Sequence, residues 1–294
     1  MSPFPPAFTV RYILGMDSRP ILLSIAGYDP SSGAGITADV KTAAALGCYA
    51  VTCITALTVQ TTQGVYAVES RGPVVVRDTL VRLTDDFEIA AVRIGMLGSG
   101  GVAEAVAGLL RQARPKNIVL DSVIRSSSGA ALIDSDGIGV LRRQLLPICD
   151  VATPNLAEAG ELAGMAIGMT SGSNCWETAA SQLRSLAAKL HEMGCRAVVI
   201  TGGHLREAND YLSIQDGSGT TEQVFSGAHL DSRSTHGTGC AFATALACGL
   251  ARNVPLPEAV GQAKEYVRQA ISAAYRVGKG VGPVNHLFRL GTEK

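Results

Sequence analysis

The chain has 294 residues, 47% of them hydrophobic and 17% charged, which is too apolar and too weakly charged for a disordered segment. Its 25 basic and 25 acidic residues cancel and no cationic run stands out, so neither nucleic acid nor an anionic membrane is expected as the main partner. The longest apolar helical stretch, Cys240 to Ala251, is too short to span a bilayer and reads as a core helix.

The first twenty residues carry neither the basic start nor the cleavage site of a signal peptide. Pro3, Pro5 and Pro6 predict an unstructured tip, so residues 1–20 are read as an extension and 21–294 as a single domain. From there β-branched runs alternate with Ala- and Leu-rich ones. A strand over Ile21–Ala26 leads to a helix over Ala34–Leu46, a strand over Ala50–Leu57 and a helix over Val74–Thr84. Strands over Ala90–Ile94, Ile118–Asp121 and Val151–Thr153 follow, with helices over Val102–Ala113, Gly137–Leu146 and Leu156–Leu162 between and after them. A helix over Cys175–Met193 and a strand over Ala197–Thr201 come next. Tyr211–Ile214 and Glu222–Phe225 then form a hairpin about Asp216-Gly217-Ser218-Gly219, placed at a sheet edge. Helices over Thr238–Ala251 and Pro257–Tyr275 end the series. This alternation predicts a doubly wound α/β fold, with a mostly parallel central sheet and helices on both faces. Seven cysteines without a CxxC pair fit a reducing cytoplasm better than a disulfide framework.

In such sheets ligands bind beyond the carboxyl ends of the strands, and the segments found there are polar and glycine-rich. Gly237-Thr238-Gly239-Cys240 opens a long apolar helix, whose amides and dipole can form an anion hole for a transferring phosphoryl group. A plain glycine-rich helix start is the alternative. Cys240 sits at that N-terminus, where a thiol's pKa is lowered. Gly27 to Asp39 links a strand to a helix without G-x-G-x-x-G spacing, and no G-x-x-x-x-G-K-[ST] occurs, which argues against Rossmann and P-loop sites. Its small residues suit a flat substrate. Asp39 either accepts hydrogen bonds from that substrate or is a solvated helix carboxylate, and the motif does not choose. Gln60 offers donor and acceptor at a strand end. Asp121, Asn155 and Glu158 suit Mg2+, although Asn155 and Glu158 equally suit a helix cap. Thr201-Gly202-Gly203-His204 lets backbone approach a nucleotide phosphate, with a tight turn as the alternative.

Taken in order, these segments resemble the hydroxymethylpyrimidine and phosphomethylpyrimidine kinases of thiamine synthesis, within the ribokinase-like superfamily. The resemblance runs through Gly33-Ala34-Gly35-Ile36, Ala38-Asp39, Gln60-Thr61, Ile94-Gly95-Met96-Leu97, Val119-Leu120-Asp121, Thr153-Pro154-Asn155, Gly202-Gly203-His204, Thr235 to Cys240 and Gly280 to Val284. It implies a ribokinase-like sandwich, usually a homodimer, that uses ATP and Mg2+. By the same resemblance Asp39 and Gln60 hydrogen-bond the aminopyrimidine, with Gly27, Ala34, Met96 and Val123 around its ring. Gly237, Gly239 and Cys240 form the anion hole, Asp121 and Glu158 serve the metal, and Asn155, Thr201, Gly203 and Thr238 serve ATP. Cys240 stands where the sugar kinases carry an aspartate base. Ser127 and Thr201 replace lysines common in the family, which bears on the second phosphorylation, and Arg125 lies two residues before Ser127. Alternative readings are a pyridoxal or pyridoxine kinase and a non-catalytic protein that binds the vitamin precursor.

Overall fold

The computed structural model describes residues 19–126, 128–167, 176–202 and 208–290. The N-terminal prolines, Ser127 and Gly203 lie outside them. The strands are β1 (Ile21–Tyr28), β2 (Tyr49–Thr61), β3 (Gly64–Ser70), β4 (Ile89–Ile94), β5 (Ile118–Leu120), β6 (Val151–Ala152), β7 (Ala197–Ile200), β8 (Asp210–Asp216) and β9 (Gly219–Phe225). They form one sheet in the order β3-β2-β1-β4-β5-β6-β7-β8-β9. The run from β2 to β7 is parallel, while β3 at one edge and β8 and β9 at the other are antiparallel. The predicted edge hairpin is therefore β8–β9. β3 is an additional strand, hairpinned onto β2 with Thr61 opposite Gly64.

Helices α1 (Gly35–Ala45), α7 (Thr238–Ala251) and α8 (Leu256–Ser272) cover one face of the sheet. The other face carries α2 (Pro73–Asp86), α3 (Gly100–Ala113), α4 (Ser135–Val140), α5 (Leu156–Ala163) and α6 (Trp176–Glu192). The helix expected over Gly137–Leu146 is α4 followed by a π turn at Leu141–Leu145. Strand alternation divides each central strand between two apolar cores. On β1, Leu23 and Ile25 join the core beneath α2–α6, whereas Leu22 joins the core beneath α1 and α7. On β4, Val92 and Ile94 join the first core and Ala91 the second. Ser24 and Arg93, paired across the ladder, share the face of Leu22 and Ala91.

Residues 280–286 return across the carboxyl edge of the sheet. Val281 N–H donates to Thr62 O at 2.8 Å, Gly282 N–H to Arg233 O at 3.0 Å and His236 N–H to Gly282 O at 3.0 Å. His286, buried at 3% exposure, closes the lacing: its Nε2 is 3.0 Å from Gly33 O and its Nδ1 3.2 Å from Thr42 Oγ1. Burial outweighs the bond to Gly33 and lowers the pKa of His286 to about 4. The folded protein thus resists a proton that the unfolded chain accepts from pH 6.5 downward. About 3 kcal/mol of stability is expected to disappear between pH 6.5 and 4. Urea unfolding at a series of pH values checks this, and His286→Gln should flatten that slope; an unchanged slope would contradict it.

Candidate active site

The turn after β1 is built on Asp29. Its carboxylate accepts from the N–H groups of Ser31 at 2.8 Å, Ala34 at 2.9 Å and Gly33 at 3.2 Å, and lies 2.8 Å from His236 Nε2. Burial pushes its pKa up, but the bonds from His236 and Ser31 win and the pKa lies below the ordinary carboxylate value. The bent turn brings Gly33 against Gly237, where a side chain would sit 1.9 Å from Gly33 O, and Gly237 itself has φ +85°. Only glycine meets both demands. Gly237 caps α7, and a side chain at Gly239, one residue into the first turn, would meet no atom within 4 Å. The helix N-terminus borders open space there, as an anion hole requires.

Beneath it lies a buried charged cluster. Arg93 is wholly buried, donates from Nη1 to Asp39 Oδ2 at 3.1 Å, and forms a second, short ion pair through Nη2 with Asp121 Oδ2. A side chain at Gly95 would strike the Arg93 guanidinium at 2.0 Å, so that glycine makes room for it. Cys240, at the start of α7, places its thiol beside Arg93 and accepts the N–H of Gly35. Burial would lower the arginine's pKa, but the charges of Asp39, Cys240 and Asp121 raise it instead. Burial also pushes up the two aspartates, and one guanidinium only partly offsets it.

Two expectations change here. Asp39 does not face a ligand: it is fully buried and accepts from Ser24 Oγ at 2.6 Å and Thr244 Oγ1 at 2.8 Å as well as from Arg93. It points into the core under α7 and anchors the arginine. Nor is the Cys240 thiol lowered: burial pushes it up to about 11, against the pull of Arg93 and Gly35. Here desolvation outweighs the helix dipole.

Several other expected residues do meet. A side chain at Gly27 would come within 2.7 Å of Met96 Sδ, and Met96 lies in a small apolar cluster with Ala56 and Leu132, against which Val123 packs. Ala34 caps α1 beside Gly237. Gln60 stands between Thr58 and His236. Asn155 and Glu158 form a capping box at the start of α5, so the helix-cap reading of this pair is realised. Glu158 is nonetheless perturbed: burial and the charge of Asp121 push its pKa up to about 8, against the N–H bonds of Asn155 and Ile124. Thr201 pairs with Asn155 at the end of β7, and Thr238 is the first residue of α7. Gly203 falls outside the described residues. Arg93 went unnoticed in the sequence. Its signal was a lone charge inside Ala90-Ala91-Val92-Arg93-Ile94, a strand buried on both faces, where a charge demands a partner.

A glycine-capped helix N-terminus over buried carboxylates, at the carboxyl edge of a parallel sheet, defines a phosphotransferase of the α/β sandwich class. The family model described as phosphomethylpyrimidine kinase matches residues 29–285, and the chain belongs to that family. It is 41% identical over 273 residues to a hydroxymethylpyrimidine/phosphomethylpyrimidine kinase of Rhizobium meliloti, covering 92% of this chain and 97% of the relative. A bifunctional thiamine biosynthesis protein of Geobacter sulfurreducens is 38% identical over 270 residues, and there the match spans 92% of this chain but only 53% of the relative. Among solved structures, the ADP complex of Bacillus subtilis pyridoxal kinase superposes with a TM-score of 0.80 at 32% identity, covering 93% of this chain and all of that one. A phosphomethylpyrimidine kinase of Clostridium difficile superposes with a TM-score of 0.73 at 31% identity, covering 86% and 100%. The ribokinase-like sandwich expected from the sequence is the fold found.

Proposed function

We propose that this chain transfers a phosphoryl group from ATP to the hydroxymethyl arm of 4-amino-5-hydroxymethyl-2-methylpyrimidine, and then a second to the monophosphate. The observation that carries the reading is the placement of Cys240. Its thiol lies under the open N-terminus of α7, beside Arg93, on the same sheet edge as Gly27, Gln60, Met96 and Val123. Phosphoryl transfer asks mainly for positioning and charge stabilisation, which the α7 amides supply. For the second step Arg125 stands in for the family's lysine; it is exposed and only loosely paired with Glu161, at 3.8 Å.

ATP brings Mg2+ to this reading, and the residues fit it. Asp121 and Glu158 are the carboxylates that would hold the ion, with phosphate oxygens and water completing its shell. Glu158 is pushed to about 8 and Arg93 is shared between two carboxylates, so the cluster calls for further positive charge. Bound there, Mg2+ would neutralise charge on the transferring phosphates.

A substrate panel with product identification tests the reading. ADP release with the pyrimidine alcohol, followed by monophosphate and then diphosphate, is expected; a higher kcat/KM for pyridoxal would replace it with the pyridoxal kinase reading, which the TM-score of 0.80 to the Bacillus subtilis enzyme favours. No turnover at all would favour a non-catalytic binding protein.

A homodimer is part of the same proposal. Ile54, Leu57, Val59 and Tyr66 expose apolar surface on the β2–β3 edge, Val59 and Tyr66 at 62% and 65%. Light scattering should report twice the chain mass, and Val59→Glu should shift it toward the monomer; a monomeric parent refutes the contact. The six described cysteines are free, and no described helix is long and apolar enough to cross a membrane. Free thiols support a cytoplasmic setting.

A further inference from the structure

Gln60 has one end of its carboxamide 3.1 Å from Thr58 Oγ1 and the other 3.2 Å from His236 Nε2. The two ends of a carboxamide have the same shape, so hydrogen-bond chemistry decides which is the carbonyl. Asp29 decides it at the same ring nitrogen. Its carboxylate already accepts three backbone N–H groups and lies 2.8 Å from the same Nε2. A carboxylate offers only lone pairs, so Nε2 must carry hydrogen. A ring nitrogen that donates cannot also accept from an amide N–H. At the other end, the Thr58 hydroxyl lies 3.0 Å from Tyr28 O, which can only accept. The hydroxyl hydrogen goes to Tyr28, and lone pairs face Gln60. Both neighbours therefore require the same arrangement of the amide.

We propose that Asp29 and His236 are specificity-positioning residues, which lock Gln60 with its carbonyl on the imidazole and its amide nitrogen on Thr58. One N–H and one carbonyl lone pair of fixed sidedness are then left for a ligand. An aminopyrimidine sets an N–H2 donor beside a ring-nitrogen acceptor, and a 4-oxo pyrimidine presents the same two positions with donor and acceptor exchanged. A freely turning amide suits either; a locked one rejects the exchanged pattern, because it leaves polar groups unpaired. The inference rests on the pyrimidine reading of this site.

Two measurements test it. Long-range 15N–1H correlation spectra of the ligand-free protein at neutral pH should show His236 protonated at Nε2. A neutral ring protonated only at Nδ1 overturns the lock, whatever the enzyme phosphorylates. The second measurement is the ratio of kcat/KM for the 4-amino over the 4-oxo pyrimidine alcohol. His236→Phe should lower this ratio about tenfold, and should lower it no further when added to Gln60→Leu. Should the phenylalanine variant fail to fold, Thr58→Val loosens the other end and should shift the ratio in the same direction. An unchanged ratio in the folded variant overturns the proposal. A parent that phosphorylates neither pyrimidine overturns the functional reading instead, and the spectrum then decides the lock alone.

Discussion

Replacing Arg93 by methionine is expected to destabilise the fold by about 3–5 kcal/mol and to remove nearly all phosphoryl transfer. Urea midpoints and ADP release measure the two losses. The planar guanidinium spans carboxylates on α1 and at the end of β5 that have no other cation among the described residues. Methionine fills the volume and leaves both carboxylates buried without a counter-charge. Asp39 keeps Ser24 and Thr244 as donors, whereas Asp121 loses the side chain that aims it. The pH dependence has a definite sign. Burial holds the Asp39 pKa above its ordinary 3.8, so stability falls as pH rises through the window above that value. Removing Arg93 raises the Asp39 pKa further, so the gap between variant and parent is widest near neutral pH and narrows in acid. Arg93→Lys should recover part of the loss, since an ammonium acts as a point charge and cannot fork between two carboxylates. A methionine variant within about 1 kcal/mol of the parent would show the cluster to be dispensable.

Cys240→Ala is expected to lower kcat for the pyrimidine alcohol by about 10²–10⁴-fold, while nucleotide affinity stays close to the parent's. The thiol is pushed up to about 11 and so holds its proton at neutral pH. On the proposed reading only the small fraction present as thiolate, which Arg93 and the Gly35 N–H steady, takes the alcohol's proton, and the thiol re-forms as it does so. The parent's rate should therefore rise with pH through the alkaline range toward about 11, and the alanine variant should lack that rise. Equal kcat in variant and parent would remove Cys240 from the chemistry and leave the α7 amides to act alone. The monophosphate, already ionised, needs no base, so the second transfer should lose less.

The sequence shows the order of elements and the carboxyl-edge segments clearly, because central parallel strands are continuously apolar and glycine turns punctuate them. It shows depth poorly. β3 escaped notice because only Val65 and Val68 of its side chains pack inward, toward the Met96 cluster, while Tyr66 and Ala67 stay exposed. Asp39 looked like a ligand for the flat substrate because α1 starts at the site. Its side chain lies on the face of Ile36, Thr42 and Ala43, which turns into the core. Cys240 was legible as a helix N-terminal thiol but not as one set beside the charges of Arg93, Asp39 and Asp121, which come from strands and helices distant in sequence. The Asn155–Glu158 spacing fitted a cap and a metal site equally, and only the pKa of Glu158 sets it apart from an ordinary cap.

The lacing at the carboxyl edge bears on how the molecule assembles. Asp29 meets His236 across 207 residues of chain and Gly33 meets His286 across 253, so the carboxyl-edge site is drawn from nearly opposite ends of the described fold. Closing loops of that length costs entropy before any contact repays it, and chains rich in such contacts fold slowly. The β1 turn and the α7 turn pack against one another, Gly33 against Gly237, and are tied to residues 280–286 through His236 and His286. Loop closure on this scale predicts that the carboxyl-edge site orders late in folding.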